Sequence, residues 1–179
     1  MTGAALVVRP DARRLLGFPA STLAKRLRAA LRSLDRSRCS VTLLLTCDAE
    51  IRALNREYRK LDRATDVLSF HQHDLGGESD PQSDGVFLGD IVISVETALR
   101  RSGRGRLPGE LARLAIHGLC HLFGHDHHRS GPAKRMRKLE QKLLRATRPR
   151  RTAQRDVSVL VSASAAAAAR AKRPTSQGG

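Results

Sequence analysis

The chain has 179 residues, with 33 Lys plus Arg against 17 Asp plus Glu, seven His and three Cys. That length suits one domain, and no apolar run approaches the ~18 residues a membrane span requires. Three cysteines (Cys39, Cys47, Cys120) with no C-x-x-C pair argue against a disulfide framework or a thiolate zinc ribbon, while a net charge of +16 attracts polyanions, nucleic acid foremost.

The N-terminus lacks a basic lead and meets Arg9 and Pro10 too early for a secretory leader, so a cytoplasmic protein is expected. Ala4 to Arg9 reads as a short edge strand. Ser21 to Leu34 carries Leu23, Leu27, Ala30, Leu31 and Leu34 at helical spacing, with Ser21 or Thr22 as its N-cap. Val41 to Cys47 is a continuous apolar run suited to a buried strand, and Asp48 then caps a helix bearing Ile51, Leu54 and Tyr58. Val67 to Phe70 forms a third strand, followed by a Gly-, Asp-, Ser- and Pro-rich loop over 72–86. Leu88 to Ser94 is a fourth strand and Val95 to Arg101 a short helix. Leu107 to Phe123 is a strong helix, with Pro108 in its first turn and Gly124 placed to end it. Pro132 opens a last helix that runs to about Arg145. Interspersed helices and strands imply an α+β fold, a small mixed sheet of about four strands packed with about five helices.

Residues 1–146 are expected to form that single domain, and 147–179 a disordered Arg/Ala-rich tail with nothing to bury. The segment 148–179 holds seven basic residues and one acid, a net +6, which leaves +10 on the preceding residues. Arginine supplies 27 of the 33 basic residues, a bias that a GC-rich genome produces as readily as phosphate binding does.

Five of the seven histidines fall between His117 and His128. His117 and His121 stand four apart on a predicted helix, so their imidazoles project from one face, one turn apart. Gly124 can adopt positive φ and turn the chain back, bringing His127 round as a third ligand ahead of its competitors His125 and His128. The spacing i, i+4, i+10 with Gly at i+7 is that of the H-E-x-x-H-x-x-G-x-x-H metalloproteases, a zincin-like helix. Three neutral imidazoles favour zinc and leave a fourth position for water. Cys120 and Glu110 lie near enough on the helix to be weighed, but a small buried core cysteine and a first-turn carboxylate complementing the helix dipole are the commoner situations. Position 118, where the peptidases keep their glutamate base, is glycine. Peptide hydrolysis has therefore lost its base, whereas a phosphodiester asks more of cations that hold phosphoryl oxygens.

The run His117-Gly118-Leu119-Cys120-His121-Leu122-Phe123-Gly124-His125-Asp126-His127 resembles the H-G-x-x-H-L-x-G-[YH]-D-H signature of the YbeY endoribonuclease family, the bacterial rRNA maturation factors. Leu54-Asn55-Arg56-Glu57-Tyr58-Arg59 with Thr65-Asp66-Val67-Leu68-Ser69-Phe70 is similar to the family's L-N-x-x-Y-R…T-D-V-L-S-F block, and Leu88-Gly89-Asp90-Ile91-Val92-Ile93-Ser94 to its L-G-D-I-x-I-S strand. Met136, Glu140, Leu143 and Leu144 fit its closing helix. The resemblance spans roughly residues 40–145. It implies a zinc-dependent, single-strand-specific endoribonuclease in 16S rRNA 3′-end maturation and ribosome quality control. The implied partners are an rRNA precursor and the ribosome or its small subunit, with one Zn2+ per chain and no nucleotide cofactor. The family's metal ligands carry over to His117, His121 and His127, and its functionally important arginine to Arg59. Unaided by the resemblance, Arg59 is one arginine among 27 and reads as a solvated surface group. Asp66, Asp90, His71 and His73 read as turn, hydrogen-bonding or loop residues. Two rival readings are a noncatalytic assembly factor in which zinc staples the helix to its return loop, and a zinc peptidase with a distant carboxylate as base.

Overall fold

A computed structural model describes residues 3–72, 85–125 and 130–149, which belong to one compact unit ending at Pro149. Its strands are β1 (Gly3–Val8), β2 (Ser40–Thr46), β3 (Val67–His71) and β4 (Phe87–Ser94), and its helices α1 (Pro10–Leu15), α2 (Ser21–Ser33), α3 (Asp48–Arg59), α4 (Val95–Ser102), α5 (Leu107–Leu122) and α6 (Ser130–Ala146). The sheet order is β1-β2-β4-β3, with β1, β2 and β4 parallel and β3 antiparallel at one edge. This is the α+β fold with a four-stranded mixed sheet that the sequence implies, and β1 is an edge strand as expected.

The sheet separates two apolar clusters. On one face Val41, Leu43, Leu45, Ile91 and Ile93 pack with Leu27 and Leu31 of α2 and with Leu111, Leu114, Leu119 and Leu122 of α5. On the other, Leu68, Phe70 and Val92 pack with Ile51 of α3. Helix α5 is thus the central ridge of the larger core, and α6 lies against it through Met136 and Leu143. No helix among the described residues is long and apolar enough to cross a membrane.

Strand β4 carries a bulge. Ser40 pairs with Phe87 while the next residue, Val41, pairs with Gly89, so Leu88 is the extra residue. Gly89 takes φ +136°, and a Cβ there would lie 2.0 Å from the Phe70 carbonyl oxygen of β3. Only glycine satisfies both demands.

Three helix starts differ from the sequence reading. Helix α2 is capped by Ala20 without a side-chain bond, because a turn from Pro19 lets the Pro19 and Ala20 carbonyls accept the N–H groups of Thr22 and Leu23. Helix α6 opens at Ser130, ahead of Pro132. Helix α3 starts after Cys47, and Asp48 is its first residue rather than its cap. The Asp48 carboxylate instead joins three elements. Its Oδ1 accepts from Ser94 Oγ (2.5 Å) and Thr97 Oγ1 (2.7 Å), its Oδ2 faces Arg100 Nη1 (2.6 Å), and its own N–H donates to Glu96 Oε2 (2.6 Å).

Burial raises the Asp48 pKa, but the bonds from Ser94, Thr97 and Arg100 outweigh it and hold the group below its ordinary value. A carboxylate with a depressed folded pKa adds stability above its unfolded pKa, and that stability disappears as pH falls through the lower folded value. Asp48→Ala should therefore cost about 2 kcal/mol at neutral pH, with Ser94 and Thr97 left without their acceptor. In urea titrations the gap between wild type and variant should hold from pH 7 to 5 and close below about pH 4. An identical gap at pH 3 would contradict this account.

Thr147 is buried beside α6, where its Oγ1 donates to the Leu143 carbonyl (2.7 Å) and accepts from Arg26 Nε (3.4 Å). Residues 150–179, which hold most of the expected tail, lie outside the described residues.

Candidate active site

Helix α5 ends at the glycine singled out in the sequence. Gly124 takes φ +75°, its N–H donates to the His121 carbonyl (2.7 Å) and the His125 N–H to the Cys120 carbonyl (3.1 Å). This pair of bonds is the Schellman closure, which satisfies the last carbonyls and reverses the chain. His127, the third expected ligand, and His73 lie outside the described residues.

His117 and His121 come together as their spacing requires. Their Nε2 atoms are 3.2 Å apart and their rings meet edge-on, with centroids 4.7 Å apart. His117 Nδ1 donates to Glu140 Oε1 of α6 at 2.5 Å, and both side chains are largely buried. His71, the last residue of β3, donates from Nε2 to the His121 carbonyl (2.8 Å) and so ties the sheet edge to the end of α5. The sequence reading passed over both supports. His71 read as a loop residue beyond the third strand, and Glu140 carried no stated role. A signal for Glu140 existed, since it is the lone acid in α6 and sits between Met136 and Leu143 on that helix's apolar face.

The donor set suits a zinc-type cation. Two imidazole nitrogens converge on one point, and the far nitrogen of one is held by a carboxylate, the usual outer partner of a metal-bound histidine. Among the described residues no group of three or more His, Cys, Asp or Glu is arranged to hold a metal ion. Cys120 is buried on the core side, and burial, with a smaller contribution from the charge of Glu140, pushes its thiol up to about 12, well away from thiolate chemistry. Glu110 is committed to Arg113, one turn along α5 (2.7 and 2.9 Å).

Gly118 lies where α5 touches the sheet. A Cβ on it would fall 2.7 Å from Ile91 Cγ2 and 3.0 Å from Ser69 Oγ. Ile91 is fully buried in β4 and cannot move aside cheaply, so packing excludes a glutamate at this position.

Arg59 closes α3 and is exposed. Its Nη2 donates to the Ser69 carbonyl on β3 (3.1 Å), and Ser69 Oγ reaches the Gly118 carbonyl at 3.4 Å. Arg59 is thereby held at the β3 edge, two contacts from the residue next to His117. Asn55, buried one turn before it, donates to the Arg63 carbonyl (2.8 Å) and fixes the loop that follows. Asp66 accepts from the Val67 N–H and pairs with Arg101, a structural role.

Two clefts border these elements. One of about 670 Å3 runs between the start of α5 and α6, lined by Arg101, Arg106, Glu110, Arg113 and Leu144; Arg113 is one turn before His117. The other, about 410 Å3, lies on the α3 face of the sheet with Tyr58, Phe70 and Asp90, and neither cleft is lined by His117, His121 or Arg59.

The sequence model of the family described as Endoribonuclease YbeY matches residues 18–148. A relative of that name from Anaeromyxobacter sp. strain Fw109-5 is 46% identical over 129 residues, covering 71% of this chain and 64% of the relative. Another from Myxococcus xanthus is 50% identical over 120 residues, covering 65% of this chain and 40% of the relative. The chain thus spans slightly less than two thirds of the first and well under half of the second. Its fold is also similar to the solution structure of TM1509 from Thermotoga maritima, with a TM-score of 0.54, 24% identity, and coverage of 80% of this chain and 88% of that one.

Proposed function

Since this chain belongs to the YbeY family, we propose that it is a zinc-dependent endoribonuclease that cuts single-stranded rRNA precursor. Its setting on this reading is cytoplasmic, on the ribosome or its small subunit, in 16S rRNA 3′-end maturation and ribosome quality control. The observation that carries the reading is the convergence of His117 and His121 through Nε2 inside the family-matched segment. One ion per chain would be held by His117, His121 and His127. When bound, such an ion supplies Lewis acidity toward a phosphoryl oxygen and lowers the pKa of a coordinated water toward neutrality.

The chain's own groups do the rest. A guanidinium carries five N–H donors in a planar fork, and the Ser69 carbonyl engages one side of Arg59, which orients the fork toward phosphoryl oxygens that gain charge during cleavage. Glu140 holds the His117 imidazole from behind, and His71 fixes the main chain at His121 through its carbonyl. Arg106 at the start of α5, beside Arg101 and Arg113 in their pairs with Asp66 and Glu110, offers a polyanion cationic groups there, and binding should weaken with salt. The peptidase reading has little support, because Gly118 leaves no base beside His117 and packing keeps it so.

Arg59→Ala tests the reading. With zinc content and melting temperature unchanged, it should lower cleavage of an rRNA 3′-end precursor about hundredfold, the usual consequence of losing one positioned donor. A variant that cleaves at the wild-type rate removes Arg59 from the chemistry. A zinc-loaded wild type that leaves the precursor uncut points to the noncatalytic assembly factor.

A further inference from the structure

We infer that Glu140 is a positioning residue, one that holds the His117 imidazole in the tautomer whose Nε2 lone pair faces the ion. The inference rests on the ion site proposed above and adds a residue to it.

Helix α6 has one acid among six basic residues. A surface glutamate in such a helix would find a Lys or Arg one turn away, but three of the four positions flanking Glu140 at that spacing are Met136, Leu143 and Leu144. Met136 and Leu143 are fully buried against the core, so the carboxylate is carried inward on the same face. There it meets His117 Nδ1 at 2.5 Å with a side chain only 17% exposed. A carboxylate brought this far from water requires a partner, and the partner here is a predicted ligand rather than one of the surrounding cations.

The chemistry of the contact fixes the direction of the proton. An ionised carboxylate only accepts hydrogen bonds, so the Nδ1 that faces it must carry the hydrogen. A neutral imidazole has one N–H, so the other nitrogen, Nε2, is left with its lone pair. That is the nitrogen 3.2 Å from His121 Nε2. Glu140 also limits rotation of the ring, since turning it over would break the 2.5 Å bond. Both effects lower the cost of presenting His117 to a cation, and α6 gains a part in the site that none of the histidines reveals.

Two variants and two measurements test this. Glu140→Gln keeps an oxygen that can accept from Nδ1 but removes the charge, and Glu140→Leu removes the acceptor altogether. Chelator competition with the full chain should show zinc affinity reduced tenfold to a hundredfold in Glu140→Leu and by less in Glu140→Gln. In the zinc-free proteins, 15N spectra of labelled histidine should show His117 with its hydrogen on Nδ1 in wild type and Glu140→Gln, and shifted toward Nε2 in Glu140→Leu. A contact that merely joins two helices would lower the melting temperature without moving the tautomer in the folded protein. The inference is overturned if Glu140→Leu folds with wild-type zinc affinity and an unchanged tautomer. Should that variant not fold, Glu140→Gln with wild-type zinc affinity and a His117 hydrogen on Nε2 overturns it equally. A wild-type chain with no zinc affinity would sink the ion site, and the tautomer measurement would then decide the Glu140 contact alone.

Discussion

Alanine in place of His121 should take the zinc content of the purified chain from about one ion to almost none. The reason is geometric, because His121 supplies one of two nitrogens that converge from successive turns of α5, and His117 alone has no neighbour on that helix to replace it. Binding to the folded state adds RT ln(1 + [L]/Kd), about 4 kcal/mol at a thousandfold excess over Kd. On a domain of this size that corresponds to a melting temperature lower by roughly 10 °C. The difference should be confined to the metal-loaded proteins. With chelator present, wild type and His121→Ala should melt close together, since the His121 ring is only partly buried and its carbonyl still receives His71. Metal analysis beside melts with and without chelator makes the measurement. A variant that keeps a full equivalent of zinc would refute the ligand set.

Gly89→Ala should damage the fold more than any other single methyl addition in the sheet. The backbone there has φ +136°, which a Cβ tolerates poorly, and the added carbon would meet the Phe70 carbonyl oxygen at 2.0 Å and the His71 Cα at 3.1 Å. These are main-chain atoms of the neighbouring strand, so no rotamer change relieves them. Backbone strain and overpacking each cost about 1–3 kcal/mol, and together they approach the whole stability of a small domain. Loss of the cooperative urea transition, or an unfolding free energy lowered by about 3 kcal/mol or more, is expected. Because His71 leads directly to His121, a folded residue of Gly89→Ala protein should also bind zinc less tightly. An unfolding free energy within about 1 kcal/mol of wild type would mean that β3 and β4 are not joined as described.

Elements that owe their form to local pattern were legible from the chain alone. The apolar runs of β2 and β4 and the stripe of α5 stand out, and Pro108 and Gly124 mark the ends of α5 to within a residue. The pairing of His117 with His121 follows from helical spacing. What was not legible depends on residues far apart in sequence. Helix α1 has six residues and one fully buried side chain, Ala12, too little for a periodic signal. The role of Asp48 requires Ser94 and Thr97, more than forty residues away, and nothing near Asp48 distinguishes it from an ordinary cap. Glu140 needed its histidine partner 23 residues earlier, although a lone acid on an apolar helix face was a clue. Arg59 had no local signal among so many arginines, and only the resemblance of the surrounding block singled it out.

The seat of α5 on β4 has a consequence for how such a site can change over time. Glutamate beside the first histidine would require Ile91 to shrink and Ser69 to withdraw, because both touch the space a side chain at 118 would occupy. Trimming Ile91 alone opens a void in the centre of the sheet at a cost of about 2–5 kcal/mol, and enlarging Gly118 alone forces the helix off the strand. Each intermediate is less stable than its parent before any new base can operate. A lineage drifting by single substitutions is therefore held away from peptide hydrolysis by the sheet, and an engineer seeking that activity would have to rebuild β4 before touching the histidine helix.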